Sequence, residues 1–243
     1  MKLGHAVEIF VRTRLFDQSL KFYKEDLGFN ALVETSSPSD RIKLTDGVIT
    51  LSLEQASEWE AGLTYVSEDV SAQVAMLERE GLTVVKSREK AGRVTQAFFT
   101  DPSGVKVTLE ESSNRQITPG EKRPLTQLGQ FGELSIETDD VQKSLDFWMK
   151  LGFRPTQYMP AQPASWASIE DDLLVIGIYQ KGHAKHIFKT PSITYFEADM
   201  PARLRRLKQK GISFAQELPG EDGEVGHGIV EAPEGTLLFL FGF

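Results

Sequence analysis

No cysteine occurs in the 243 residues. That excludes disulfide staples, thiolate nucleophiles, iron–sulfur ligation and cysteine-bound structural zinc. Positive charge is also scarce, with 27 Lys and Arg against 35 Asp and Glu for a net charge of -8. A phosphate backbone needs clustered Lys and Arg, so nucleic acid is not an expected partner. The densest basic stretch, Arg203 to Lys208, contains Leu204 and Leu207 and reads as the wet face of a helix. No run approaches the roughly 20 apolar residues of a membrane span, and Met1 to Arg12 lacks signal-peptide character. No P-loop, dinucleotide glycine pattern or Ser-His-Asp constellation is present. The remainder is ordinary, 40% hydrophobic and 26% charged. A soluble cytoplasmic protein, monomeric or homodimeric and without membrane contact, is expected.

What the sequence does contain is a repeat. Val7, Ile9 and Val11 alternate on one face, the period of a half-buried strand. Phe16, Leu20, Tyr23 and Leu27 then form one apolar helical stripe, which Gly28 can stop. Val141, Leu145 and Trp148 fall 125 positions after Phe16, Leu20 and Tyr23. Leu151-Gly152-Phe153 repeats Leu27-Gly28-Phe29 after the loss of one residue. Further on the offset is 130. Leu63-Thr64-Tyr65 returns as Ile193-Thr194-Tyr195, and Val70, Val74, Leu77 and Gly81 return as Met200, Leu204, Leu207 and Gly211. Asp69 and Asp199 are matching helix N-cap candidates, with Pro201 in the first turn of the second helix. Asp101-Pro102-Ser103-Gly104 and Ala232-Pro233-Glu234-Gly235 are turns into a closing strand. Strand-like runs at 48–53, 82–86, 94–99 and 105–109, with later counterparts, complete the units. The chain divides into residues 1–112, a polar linker at 113–128 bearing Pro119, Gly120 and Pro124, and residues 129–243. Each half is long enough for a core of its own. The fold class is α+β, with four tandem βαβββ units pairing into two curved mixed-sheet domains.

The segments from Ser19 to Phe29 and from Ser144 to Phe153, each ending in Leu-Gly-Phe, carry a resemblance together with Thr100-Asp101-Pro102-Ser103-Gly104. The chain resembles the vicinal oxygen chelate superfamily of glyoxalase I, bleomycin- and fosfomycin-resistance proteins and extradiol dioxygenases. The resemblance covers nearly everything outside the linker. It implies two sheet cups, in which active members bind a divalent metal through His, Glu or Gln, while the bleomycin-binding branch uses apolar and aromatic walls without metal.

The family spacing, counted back from Phe22 and Phe147, places first-strand ligands at Glu8 and Glu133. A carboxylate there could ligate a metal, act as a general base, hold a cationic or hydroxylated ligand, or pair with a nearby arginine. The other ligand positions implied by the resemblance fall on Gly62 and Ser192, on Thr108 and Phe239, and near Thr50 or Ser52 and Gly177. These hold no catalytic divalent ion. His5 faces away from Glu8. His183 and His186 lie between Gly182 and Pro191 and read as solvated loop histidines. His227 and Gln96 share a register and, with Thr64, Thr108 and Thr194, are candidate ligand contacts. Tyr23 and Trp148 read as core, and Trp59, Trp166, Phe98 and Phe10 could line a cup. The expected function is metal-independent binding of a small, partly apolar molecule, with Glu8 and Glu133 as polar or catalytic anchors. The alternative is a lyase, isomerase or ring-cleaving dioxygenase using Zn, Ni, Mn or Fe on Glu8 or Glu133. A non-catalytic scaffold is the third.

Overall fold

The computed structural model describes residues 2–32, 40–112, 124, 126–159, 165–220 and 223–242. Most of the linker expected at 113–128, including Pro119 and Gly120, lies outside the described residues. Two eight-stranded mixed sheets are built, one from each half.

In the first half, β1 (Ala6–Thr13), α1 (Phe16–Lys21), β2 (Asn30–Ala31), β3 (Arg41–Thr45) and β4 (Thr50–Gln55) form one unit. The second unit is β5 (Glu60–Ser67), α2 (Val70–Arg79), β6 (Val85–Lys90), β7 (Arg93–Thr100) and β8 (Lys106–Glu111). The second half repeats this as β9 (Gln130–Thr138), α3 (Val141–Lys150), β10 (Arg154–Met159), β11 (Trp166–Glu170) and β12 (Val175–Gln180). Its last unit is β13 (Ser192–Phe196), α4 (Met200–Gln209), β14 (Gln216–Pro219), β15 (Val225–Glu231) and β16 (Leu237–Phe241). The first sheet runs β2-β3-β4-β1-β5-β8-β7-β6, and the second runs β10-β11-β12-β9-β13-β16-β15-β14. At each centre the opening strands of the two units pair antiparallel, flanked by parallel pairings to the closing strands.

The residue lost between the two helical repeats explains a local difference. In the first half α1 continues as a π turn over Phe22–Asp26, where Leu27 N donates to Phe22 O, five residues back, at 2.9 Å. The extra residue is absorbed as one wide turn. The stripe therefore still delivers Leu27 and Phe29 to the core, and Gly28 and Gly152 both end their helices with positive φ, at 87° and 97°. The cap candidates separate. Asp69 accepts from Ala72 N at 3.0 Å. Asp199 does not cap with its side chain. It takes Arg203 Nε at 2.6 Å and Arg206 Nη2 at 3.1 Å instead, since those basic residues stand on its own helix face and outcompete the backbone.

Strand alternation sends Ile9, Val11, Leu51, Leu63, Tyr65 and Leu109 into the core. Most of the buried apolar residues, from Leu3 to Leu240, form one cluster drawn from both halves, so the halves share a core instead of holding one each. Polar groups buried between them follow an approximate twofold pattern. Tyr65 Oη donates to Asp171 at 3.0 Å, while Tyr195 Oη faces Asp46 without closing a hydrogen bond of normal geometry. Asp46 and Asp171 shape equivalent turns, each accepting two backbone N–H groups of its own loop. Trp148 Nε1 donates to Asp101 at 3.2 Å. Its counterpart Tyr23 donates to Glu234 at 2.7 Å, with Ser19 Oγ donating to the other oxygen at 2.6 Å. Each half's first helix thus meets the other half's closing turn. Burial pushes the Tyr23, Tyr65 and Tyr195 hydroxyls well above their usual range, so all three stay protonated. Burial also raises the Asp46 and Asp101 carboxyls.

A shared core requires one cooperative unfolding transition for both halves. Two well-separated transitions in a calorimetric or urea melt would contradict it. Trp148→Phe removes one donor from the buried Asp101 Oδ2, leaving Ser103 Oγ at 2.8 Å, and is expected to cost about 1 kcal/mol by the same melt.

Candidate functional site

The faces of the two sheets that point away from the core carry the chemistry, and the shared frame allows them to be compared position by position. On the first face Glu8 is completely buried. Arg41 and Lys43, both on β3, meet its two oxygens, Arg41 Nη2 at 3.3 Å and Lys43 Nζ more closely. Arg41 also reaches Glu54 at 3.2 Å and Glu110 at 3.2 Å. Arg12 binds Glu54 at 2.8 Å and Glu60 at 2.5 Å, and Lys106 binds Glu60 at 3.1 Å. The result is a continuous network of opposite charges. Gln96, opposite Glu110, accepts from Ser87 at 3.2 Å. Phe10 is buried with Arg12 over its ring, and Phe98 lies under Lys106.

The second face has a different character. Glu133 is 6% exposed and among the described residues meets only hydroxyls: Tyr179 Oη donates at 2.5 Å and Ser135 Oγ at 2.9 Å, both to Oε1. Ser135 also shares a hydrogen bond with Thr194 at 2.6 Å. The carboxyl group lies over Gly177, where any Cβ would overlap it. Burial pushes the Glu133 carboxyl up, opposed by the Tyr179 and Ser135 hydrogen bonds. Burial first, then the Glu133 charge, raise the Tyr179 phenol, so it remains protonated and donating.

Beside this group is a cavity of about 310 Å³ lined by Ser135, Tyr179, His186, Phe188, Phe239 and Phe241, with the exposed His183 and Lys185 also at its wall. The rings touch one another: His186 stands edge-on to Phe239 at 4.8 Å, and Phe188 to Phe239 at 5.1 Å. Phe239, Ile229 and Leu237 form a small apolar cluster separate from the main core. His227 accepts from Gly242 N at 2.9 Å and packs on Phe241.

Several sequence expectations change here. His186, expected as a solvated loop histidine, is half-buried, its ring stacked on Phe188 at 6.1 Å and edge-on to Phe239 at 4.8 Å. Strand pairing sets Thr64 and Thr194, not Gly62 and Ser192, opposite the two glutamates, with Thr108 and Phe239 next in each row. Trp59 lies beneath the second half's Lys189 at 3.6 Å, and Trp166 pairs with Tyr179 across β11 and β12. His5 is tied at the head of β1 through its backbone to Val66. Arg41, Lys43, Tyr179, Phe188 and Phe241 were not singled out from the sequence. Reading the halves against each other at the offset of 125 aligns Glu54 with Tyr179 and would have signalled the first three.

The family model described as Glyoxalase/Bleomycin resistance protein/Dioxygenase superfamily matches residues 2–109 and 130–239. The chain belongs to this superfamily. Its members bind small-molecule substrates and include dioxygenases and glyoxalases. No curated protein matches the chain. Solved structures share the superfamily fold at low identity. A variant of homoprotocatechuate 2,3-dioxygenase from Brevibacterium fuscum is 13% identical with a TM-score of 0.65, covering all of this chain and 72% of its own. The Mn(II)-bound glyoxalase from Novosphingobium aromaticivorans is 16% identical with a TM-score of 0.63, covering 97% of this chain and 81% of its own. A catechol 2,3-dioxygenase is 15% identical with a TM-score of 0.59, covering 98% and 91%.

A divalent ion such as that glyoxalase carries needs about three strong protein ligands and an open position. Glu8 shares its row with two threonines, and Glu133 with a threonine and a phenyl ring. Among the described residues no three His, Asp or Glu side chains converge as a metal-binding group. Glu8 is already neutralised by two cations. The donor sets on both faces do not fit a divalent ion.

The raised Glu133 carboxyl makes a pH prediction. Its contribution to stability is fullest below the unfolded glutamate value of about 4.3 and is lost as pH rises through the higher folded value. Glu133→Gln should therefore gain stability relative to the parent as pH rises from about 4 to 8. Parallel thermal melts across that range test it, and a constant difference would refute the raised value. Glu8→Gln instead removes the carboxylate that Lys43 and Arg41 share, leaving Arg41 its contacts to Glu54 and Glu110, and should cost about 2 kcal/mol at neutral pH, less than a fully buried pair because both cations are partly exposed.

Proposed function

We propose that the chain binds a small, partly apolar organic molecule on the face of its second sheet, without a catalytic divalent metal. The observation that carries this reading is the aromatic cavity set beside the Glu133–Tyr179–Ser135 group. Concave, mostly apolar pockets with a few convergent polar groups are the usual form of small-molecule sites. Phe239, Phe241 and Phe188 supply wall area, while Tyr179 and Ser135 offer hydroxyl oxygens to a ligand. Because Tyr179 spends its proton on Glu133, its lone pairs are left to accept from a ligand donor. Glu133 acts through Tyr179 and Ser135, holding their hydroxyls in place.

The first face is assigned a structural role, since its own side chains occupy and neutralise it. His227 and Thr194 border the second site, while Gln96, Thr64 and Thr108 belong to the charge-filled face. The superfamily alternative, a divalent-metal lyase, isomerase or ring-cleaving dioxygenase, draws its support from the Mn(II)-bound relative rather than from these donors.

Elemental analysis of protein purified without chelator is expected to find far less than one Zn, Ni, Mn or Fe per chain. Stoichiometric metal that disappears in Glu133→Ala would overturn the metal-free reading. Phe239→Ala should weaken any stabilising ligand about tenfold or more, as loss of a large aromatic wall does.

A further inference from the structure

The chemistry of the ligand can be taken further, resting on the binding reading just proposed. On the first face, the buried Glu8 is met by the guanidinium of Arg41 and the ammonium of Lys43. At the offset of 125, β11 places Trp166 where β3 has Arg41, and Ser168 where it has Lys43. The strand registers agree. Arg41 pairs with Glu54 and Trp166 with Tyr179, while Lys43 pairs with Ser52 and Ser168 with Gly177. The second half has kept the carboxylate and lost both of its cations.

Glu133 is left more than nine-tenths buried, with hydroxyl donors on Oε1 and no hydrogen bond to Oε2 among the described residues. An ionised carboxylate so placed is costly unless an opposite charge is brought to it. The surrounding substitutions point the same way. Thr108 and Glu110 on the first face correspond to Phe239 and Phe241 on the second; Thr108 and Glu110 stand opposite Phe98 and Gln96, while Phe239 stands opposite Ile229 and Phe241 packs on the His227 ring. An aromatic wall of this kind attracts an organic cation through the ring faces. Among the described residues the titratable groups nearby do not supply the charge. Lys185 and His183 are exposed, His186 is engaged with Ile187 O, His227 accepts from Gly242 N, and Glu137 accepts from Gly182 N.

We infer that the second face takes an organic cation, a protonated amine or guanidinium on an apolar body, which brings to Glu133 the charge that Arg41 and Lys43 bring to Glu8. The first half carries within its own sequence the groups that the second half obtains from a ligand.

Calorimetric titration of the full chain at neutral pH with benzylamine, benzyltrimethylammonium, benzyl alcohol and benzoate tests this. The two cations are expected to bind about tenfold or more tighter than benzyl alcohol, and benzoate weakest. Glu133→Gln should bring the cations down to the level at which benzyl alcohol binds the same variant. The double variant Trp166→Arg with Ser168→Lys keeps the carboxylate but restores the first-face cations, and should abolish cation binding independently of whether Glu133→Gln folds. Benzyl alcohol or benzoate binding as tightly as the cations would overturn the cation inference and leave the binding site standing. Cation binding unaltered in the double variant would also overturn it. No binding of any of the four would overturn the site and the inference together.

Discussion

The buried polar contacts between the halves are the constraint on which the rest of this structure depends. A duplicated chain could have folded as two beads, each sheet covered by its own helices. Here the first helix of each half presents an aromatic donor to the closing turn of the other, Tyr23 to Glu234 and Trp148 to Asp101. The central strands add Tyr65 to Asp171 and bring Tyr195 to face Asp46. Each acceptor is buried or half-buried and already shapes a turn of its own half, apart from Glu234, which takes two side-chain donors instead. Such groups favour one relative placement, because sliding the halves would strand a charge or a hydroxyl away from water. The apolar cluster running through both halves then follows.

With the inner faces committed to each other, only the outer faces were free to diverge, and they did so in opposite directions. The first closed on itself with a network from Lys43 through Glu8, Arg41, Glu54 and Arg12 to Glu60 and Lys106. Its members other than Glu8 are partly exposed, so its worth lies more in excluding other occupants than in raw stability. The second replaced charge by rings and left one carboxylate under them. Both outcomes use the same strand register, so the difference is one of side chains and not of fold.

Much of the framework was legible before any coordinates. Alternation in Val7, Ile9 and Val11, the stripes ending in Leu-Gly-Phe, and the two turn motifs are local signals that depend on neighbours a few residues away. The single missing residue between the helical repeats was visible too, although its form as a π turn was not. Glu8 and Glu133 stood out because both halves keep them. Their different surroundings did not, since Arg41 and Tyr179 come from other strands, and which residues face a glutamate is a matter of strand pairing. The packing of His186 is hidden from the sequence for the same reason. A histidine in a loop looks solvated until the loop is seen to cross an aromatic surface.

By itself, then, the sequence determined the duplication, the order and type of most elements, and the presence of one carboxylate per face. These are set by period, turn chemistry and repetition, which need no long-range contact. The tertiary structure alone decided that the halves share a core, that cations meet Glu8 while among the described residues hydroxyls meet Glu133, and that Phe188, Phe239 and Phe241 enclose a cavity. Each of those facts depends on residues from different strands arriving at one place, and burial gives a carboxylate or a ring its meaning only once that place is formed.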